Sequence, residues 1–283
     1  MLHVDVLSSL EDNYIYAIRP NADTAIVVDP GEYKVLRAYL HEKKVKHVDV
    51  LLTHAHYDHV DGLQGLFVEF PDTQVYAQAQ ILDAVKLPSG WTIPAAARKA
   101  LAAEGKFTLQ GLEFTSLDTP GHADYHMVYA IGDAIFTGDL IFSVGVGKVL
   151  SGKGEDYVRL YNSVQKVKSY ALEHKAAGHE LLMFAGHEYT YSNMAFARSL
   201  GDAALEPRLT EYEQDVRARL SQGQGNTPVD FYQELTYNPF LRTISIGEFS
   251  RMRALKDEFA KLNQVANERA AEIQKLVAQA DKD

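Results

Sequence analysis

Short apolar runs bounded by turn residues alternate with helical stretches over the first two-thirds of the chain. The runs Ile15–Ile18, Ala25–Val28, Val48–Leu52, Gln74–Tyr76, Phe114–Leu117, Met127–Ala130, Ala134–Phe136 and Leu181–Ala185 are rich in β-branched and aromatic residues. Gly, Pro, Asp or Asn flank them, which predicts strands. Lys34–Lys43 and Tyr157–Leu172 carry apolar residues at three- and four-residue spacing, which predicts helices. This mixed order points to an α/β layered domain over residues 1–190. From about residue 190 the strand pattern fades. Glu211–Leu220, Glu248–Leu262 and Glu268–Ala280 read as helices, with a loop over Ser221–Pro228, so residues 191–283 are expected to form a helical domain. No fixed-period repeat or low-complexity tract interrupts the chain.

The chain has 283 residues, 46% of them hydrophobic, enough for a sizeable core. Its formal net charge of −10 disfavours nucleic acid and acidic membranes as partners. Cysteine is absent, so no disulfide, thiolate nucleophile or cysteine-held metal is available, and any metal must rest on His, Asp or Glu. The start, Met1-Leu2-His3-Val4-Asp5, has no basic segment followed by a long apolar one, and no run approaches the ~18 apolar residues of a membrane span. A soluble, cytoplasmic protein without a signal peptide is expected.

Residues 53–59 read Thr-His-Ala-His-Tyr-Asp-His, directly after the apolar Val48, Val50, Leu51 and Leu52. Three imidazoles and a carboxylate crowded at the mouth of a buried strand make little sense as core packing, and their donor atoms suit zinc, iron or manganese. The alternation of His54 and His56 lets both rings address one ion from a loop, which a helix would not permit. Three further residues stand in the same context, each just past an apolar strand and each preceded by glycine: His122, Asp139 and His187. Strand ends of layered α/β proteins converge on one edge, where loops carry chemistry on a rigid frame. His3, His41, His47, His126, His174 and His179 read as surface or hydrogen-bonded residues.

Thr-His-x-His-x-Asp-His, then Thr-Pro-Gly-His, Phe-Thr-Gly-Asp and Gly-His-Glu-Tyr-Thr in that order, resembles the metallo-β-lactamase fold. More narrowly the chain is similar to glyoxalase II, the hydroxyacylglutathione hydrolases. The likeness runs from Asp12-Asn13-Tyr14 to Phe259 and includes Val27-Val28-Asp29-Pro30-Gly31-Glu32 and Asn238-Pro239-Phe240-Leu241-Arg242. It implies an αββα sandwich followed by a smaller helical C-terminal domain. It also implies two divalent ions, zinc first with iron or manganese open. His54, His56 and His122 would hold one and Asp58, His59 and His187 the other, with Asp139 and a water or hydroxide bridging. The implied reaction is thioester hydrolysis of S-D-lactoylglutathione to D-lactate and glutathione. His54, Asp58 and Asp139 would be catalytic, with Asp58 also orienting the nucleophile, and Lys148, Tyr189, Asn193, Arg253 and Lys256 would contact the thiol portion. The i, i+3 spacing of Arg253 and Lys256 puts both cations on one helix face.

The chain departs from the family at the pocket rim. Val149-Leu150-Ser151-Gly152 replaces an aromatic pair followed by Glu-Gly, Ala123 and Tyr125 replace threonine and glycine, and Asp61-Gly62-Leu63 replaces Gly-Gly-Asn. No metal ligand is lost, so these changes bear on substrate identity and efficiency. Three alternatives stay open: a thioesterase for another thiol, a persulfide dioxygenase with a single iron, and a glutathione-binding metalloprotein with little hydrolysis. Past Phe259 the partly periodic Leu262, Ala266, Ile273, Leu276 and Val277 read as an extra helix packed on the second domain.

Overall fold

A computed structural model of the chain describes residues 3–149, 154–222 and 224–280, without the side chains of 154, 155, 220 and 264–280. Leu150, Ser151 and Gly152 therefore lie outside the described residues, as do the side chains of Ala266, Ile273, Leu276 and Val277. The first sheet runs in sequence order: β1 (Val4–Ser9), β2 (Asn13–Ile18), β3 (Thr24–Val28), β4 (His47–Leu51), β5 (Gln74–Ala77) and β6 (Arg98–Ala100). Its first three strands pair antiparallel and the rest pair parallel. Between them lie α1 (Tyr33–Glu42), α2 (Tyr57–Val60), α3 (Gly62–Glu69) and α4 (Ala79–Ala84). The second sheet takes β7 (Gly105–Leu109), β8 (Leu112–Asp118), β9 (Met127–Ile131), β10 (Ala134–Gly138), β13 (Leu182–Ala185) and β14 (Val229–Asp230). A two-stranded ribbon, β11 (Ile141–Phe142) with β12 (Gly145–Val146), precedes α5 (Gly154–Ala176). The C-terminal region adds α6 (Thr190–Ser199), α7 (Glu206–Ser221), α8 (Phe231–Tyr237) and α9 (Ile246–Ala280).

Two-residue periodicity divides the second sheet between two cores. Met127, Tyr129 and Ile131 of β9 and Phe136 of β10 join the first sheet, together with Leu36 and Leu40 of α1 and Leu63 and Leu66 of α3. Val128, Ala130 and Ile135 face the other way, onto Leu160, Val164, Val167 and Ala171 of α5 and onto Phe240 and Phe249. The α5 set recurs every three or four residues, so one stripe of that helix covers the sheet. The result is an α/β sandwich with flanking helices, followed by a smaller helical region.

Two expectations change. The helices read as Glu248–Leu262 and Glu268–Ala280 are one, α9, because Asn263–Asn267 contains neither Gly nor Pro and nothing in it stops the backbone. The C-terminal region is also not wholly helical. Val229 and Asp230 pair with Met183 and Leu182 and edge the second sheet. A strand of two residues carries no periodicity to read. The short β6, β11 and β12 escape a pattern-based reading for the same reason, and β1 and β7 escape it because they are largely unburied.

Candidate metal centre

The ligand-type residues stand on loops that leave the strands at one edge of the sandwich. After β4, the Thr53 carbonyl accepts the Met127 N–H at 2.8 Å, which ties the His54 loop to β9. His56 is the N-cap of α2, and Asp58 and His59 occupy its first turn. His122 follows β8, Asp139 follows β10 and His187 follows β13. Gly186 makes room for this convergence, since a Cβ there would lie 2.3 Å from Asp139 Oδ1.

All seven expected ligands come together, in two groups. The ligand atoms of His54, His56 and His122 lie within 4.8 Å of one another, and so do those of Asp58, His59 and His187. Asp139 stands between the groups. Its Oδ2 is 3.3 Å from His122 Nε2 and 3.4 Å from His187 Nε2, and its Oδ1 is 3.4 Å from His59 Nε2.

Outer hydrogen bonds decide which nitrogen of each ring carries its proton. Thr53 Oγ1 gives its own proton to Asp29 Oδ2 at 2.6 Å and so accepts from His54 Nδ1 at 2.9 Å. His59 Nδ1 donates to Asp29 Oδ2 at 3.0 Å, His122 Nδ1 to the Lys148 carbonyl at 2.8 Å, and His187 Nδ1 to Asp12 Oδ1 at 2.8 Å. When neutral, each ring directs its Nε2 lone pair inward. Among the described residues, His54 Nε2 and Asp139 Oδ1 are buried without a hydrogen-bond partner. His59 and His187 point Nε2 at each other across 3.3 Å, and His122 Nε2 meets His56 Nδ1 at 3.0 Å. Facing lone pairs in a buried space call for a proton or a cation between them. This donor set fits a pair of divalent cations, with carboxylates and backbone oxygens orienting the imidazoles.

The pKa shifts carry the same message. Burial works against charge on every ring and holds His54, His56 and His122 below the ordinary histidine value. Burial also opposes charge on His59 and His187, but carboxylates overcome it. Asp139 and Asp29 raise His59, and Asp139 and Asp58 push His187 up to about 10. Asp58 and Asp139, which burial alone would raise, are held below the usual carboxylate range mainly by His187 and His59. The site attracts positive charge, and cations binding there would displace protons.

Sequence reasoning did not single out the orienting residues Asp29, Asp12, Thr53 and Asn13. A signal existed for Asp29, which follows β3 just as His122 and Asp139 follow their strands. Asn13 Nδ2 donates to Asp58 Oδ2 at 3.0 Å and to the Asp58 carbonyl at 3.2 Å. His126 keeps its structural reading. It is buried, its Nε2 accepts the Asp139 N–H at 3.2 Å, and its Nδ1 therefore donates to Thr119 Oγ1 at 2.9 Å. Burial pushes it down to about 3, so it stays neutral.

The five expected substrate contacts divide. Tyr189 stacks flat on His187, with ring centroids 4.9 Å apart and planes within 5°. Lys148 is exposed on the residue whose carbonyl holds His122. Lys256 is half-buried, 5.0 Å above Phe196, and donates to the Ser192 carbonyl at 3.2 Å. Asn193 and Arg253 bond within the chain, although Arg253 Nε is buried without a hydrogen-bond partner among the described residues. Asn193 Nδ2 donates to the Ser143 carbonyl at 2.9 Å. Arg253 is 4% exposed, donates to the carbonyls of Val146 and Gly147, and pairs with Asp257 at 2.9 Å. The face of α9 that carries Arg253 packs on Phe240 and on the loop after β12.

The metallo-beta-lactamase superfamily model matches residues 10–187, and the model of the hydroxyacylglutathione hydrolase C-terminus matches residues 188–281. The chain is 31% identical over 260 residues to a hydroxyacylglutathione hydrolase of Glaesserella parasuis serovar 5 (strain SH0165), covering 92% of this chain and 100% of that one. It is 31% identical over 274 residues to a hydroxyacylglutathione hydrolase of Xanthomonas euvesicatoria pv. vesicatoria (strain 85-10), covering 89% and 97%. Among solved structures, ETHE1 from Myxococcus xanthus is similar with a TM-score of 0.61 at 20% identity, covering 89% of this chain and 90% of that one, a likeness of fold alone.

Two outcomes follow from this geometry. Asp29→Ala removes the partner of both His59 Nδ1 and Thr53, and should weaken zinc binding roughly 10–100-fold in competition with a chelating dye. Arg253→Ala strips two buried carbonyls of their donor and should cost about 2 kcal/mol, read as a lower urea midpoint at unchanged slope.

Proposed function

The chain belongs to the metallo-β-lactamase superfamily and, within it, to the hydroxyacylglutathione hydrolases, and from that premise we propose that it is a cytoplasmic thioester hydrolase working with a pair of zinc ions. Its substrate is S-D-lactoylglutathione or a closely related S-acyl thiol conjugate, and its products are a hydroxy acid and a free thiol. The observation that carries this reading is the position of Asp139, within 3.4 Å of imidazoles from both ligand groups. That arrangement suits two ions sharing one carboxylate. No helix among the described residues is long and apolar enough to cross a membrane. The charge of −10 does not favour nucleic acid.

His54, His56 and His122 would hold one ion, Asp58, His59 and His187 the other, and Asp139 both. When bound, such a pair supplies a water ionised near neutral pH and a Lewis acid for the carbonyl oxygen. Hydrolysis joins the oxygen of that water to the acyl carbon, breaks the C–S bond and leaves the sulfur protonated in the released thiol. Asp58 is the group suited to orienting the water. Its side chain is 37% exposed, so it reaches the mouth of the site, while Asn13 and His187 hold Oδ2 in place. Tyr189, stacked on His187, keeps that ring from turning and offers its hydroxyl to the substrate. Lys148 and Lys256 provide ammonium groups for the carboxylates of the thiol portion. Asn193 and Arg253 contribute through the loop that carries Lys148 rather than by touching substrate.

With no cysteine in the chain, thiol release can be followed with an aromatic disulfide reagent free of protein background. Zinc-loaded protein should turn over S-D-lactoylglutathione, lose that activity on chelation and regain it with zinc. Folded, fully metallated protein that releases no thiol defeats the reading. Burial, and then the nearby Arg253, push Lys256 down to about 8. The ammonium that grips a carboxylate is thus lost as pH rises through that value, so kcat/KM should fall on the alkaline side. Lys256→Ala should raise KM with little change in kcat and should lack that alkaline limb. A wild-type limb that persists in the variant removes Lys256 from substrate binding.

A further inference from the structure

The turn between β11 and β12 holds a buried valine in a conformation that valine avoids. Val144 has φ +60°, in the left-handed region, and is fully buried. Its N–H donates to Glu234 Oε2 at 2.8 Å, and Asn238 Nδ2 donates to the same oxygen at 3.0 Å. Glu234, on α8, is itself fully buried, and its Oε1 has no hydrogen-bond partner among the described residues. Burying a carboxyl group with one oxygen unpaired costs the fold stability. What that burial provides is the geometry of one turn.

The turn leads directly to the metal centre. Asn238 also donates to the carbonyls of Phe142 at 3.2 Å and Gly145 at 3.1 Å, and the Tyr212 hydroxyl donates to Ser143 Oγ at 3.0 Å. Beyond the turn, the Gly147 N–H donates to the Leu140 carbonyl at 3.0 Å. A Cβ at Gly147 would lie 1.9 Å from the Asp139 carbonyl oxygen, so the segment is pressed against the residue shared by both ligand groups. One residue later the Lys148 carbonyl fixes His122 Nδ1. Every step from Glu234 to His122 is a short contact along one braced segment.

We propose that Glu234 is a positioning residue: by holding Val144 in its left-handed turn it sets the segment whose Lys148 carbonyl aims His122, so that the helical C-terminal region determines affinity for one of the two ions. This rests on the reading above that His122 holds an ion. The test is zinc binding by competition with a chelating dye, with the urea midpoint recorded for each variant. Glu234→Gln keeps an acceptor oxygen for the Val144 N–H and should bind zinc within about threefold of wild type. Glu234→Ala should lose roughly tenfold or more at one ion and leave the other unchanged, the scale on which outer partners of metal ligands act. Adding Val144→Gly to Glu234→Ala should restore most of that loss, because glycine takes up a positive φ without a carboxylate to hold it. A general loss of packing would instead be deepened by the second substitution. Wild type that takes up no zinc overturns the proposed function and this inference with it. Wild type that binds a pair of ions while Glu234→Ala binds them as tightly overturns the brace alone. So does a folded double variant no better than Glu234→Ala. Should Glu234→Ala fail to fold, the double variant and Glu234→Gln decide by the same ratios.

Discussion

Nitrogen lone pairs that face one another in a dry space are the constraint on which the rest of this structure depends. His54, His59, His122 and His187 each give their outer proton to a fixed oxygen, on Thr53, Asp29, Lys148 and Asp12 respectively, so the space between the inner nitrogens must be filled by a further proton or a cation. Asp139 adds a carboxylate that is only 6% exposed. Left alone, such a cluster would be repulsive and under-solvated. Positive charge in its centre turns the same groups into a mutually supporting set. The fold must therefore hold them rigidly enough that they do not relax apart.

That rigidity comes from two directions. From the first sheet, Asp29 ties β3 to the His54 loop through the Thr53 N–H at 2.8 Å, through its hydroxyl, and through His59. From the second sheet and the helical region come β10, β13 and the braced segment from Phe142 to Lys148. The Asn13–His187 bridge joins the two sheets at the rim, and Tyr16 of β2 donates to the Ala185 carbonyl at 2.5 Å beside it. The helical region is thus bonded into the segment that borders the ligand groups. Its side chains hold the carbonyls of Phe142, Gly145, Val146 and Gly147, on the segment that runs up to the Lys148 carbonyl beside His122.

Two of the departures from the family's pattern, at Asp61 and at Tyr125, lie among the described residues and clear of the ligands. Asp61 and Gly62 stand at the junction of α2 and α3, where a Cβ on Gly62 would lie 2.5 Å from the Pro30 carbonyl oxygen. The glycine needed for that close approach is present, and the altered neighbours lie beyond the ligands. Tyr125 is exposed on the loop between β8 and β9, and the Asp124 that precedes it pairs with Arg159 at 2.9 Å on α5. Neither Asp61 nor Tyr125 displaces a ligand or an orienting oxygen.

Much of this was legible in the order of residues. Ligand chemistry is local: a histidine or aspartate just past an apolar strand, with glycine before it, announces itself wherever the strands go, and the absence of cysteine restricted the donors to nitrogen and oxygen. The strongly apolar strands and the α5 stripe were equally plain, because period two and period 3.6 are set by backbone geometry. Three things belonged to the tertiary structure. The outer partners Asp12, Asn13 and Thr53 look like ordinary turn and strand-end residues until β1, β4 and β13 bring them to the rings. The fate of Arg253 depended on which loop lay under its helix face, and helical spacing carries no information about that. Glu234 and Val144, 90 residues apart, acquire meaning only once α8 is packed against the ribbon. Periodicity and donor type are properties of a segment. Which buried polar group satisfies which is a property of contacts between segments, and only the folded chain decides it.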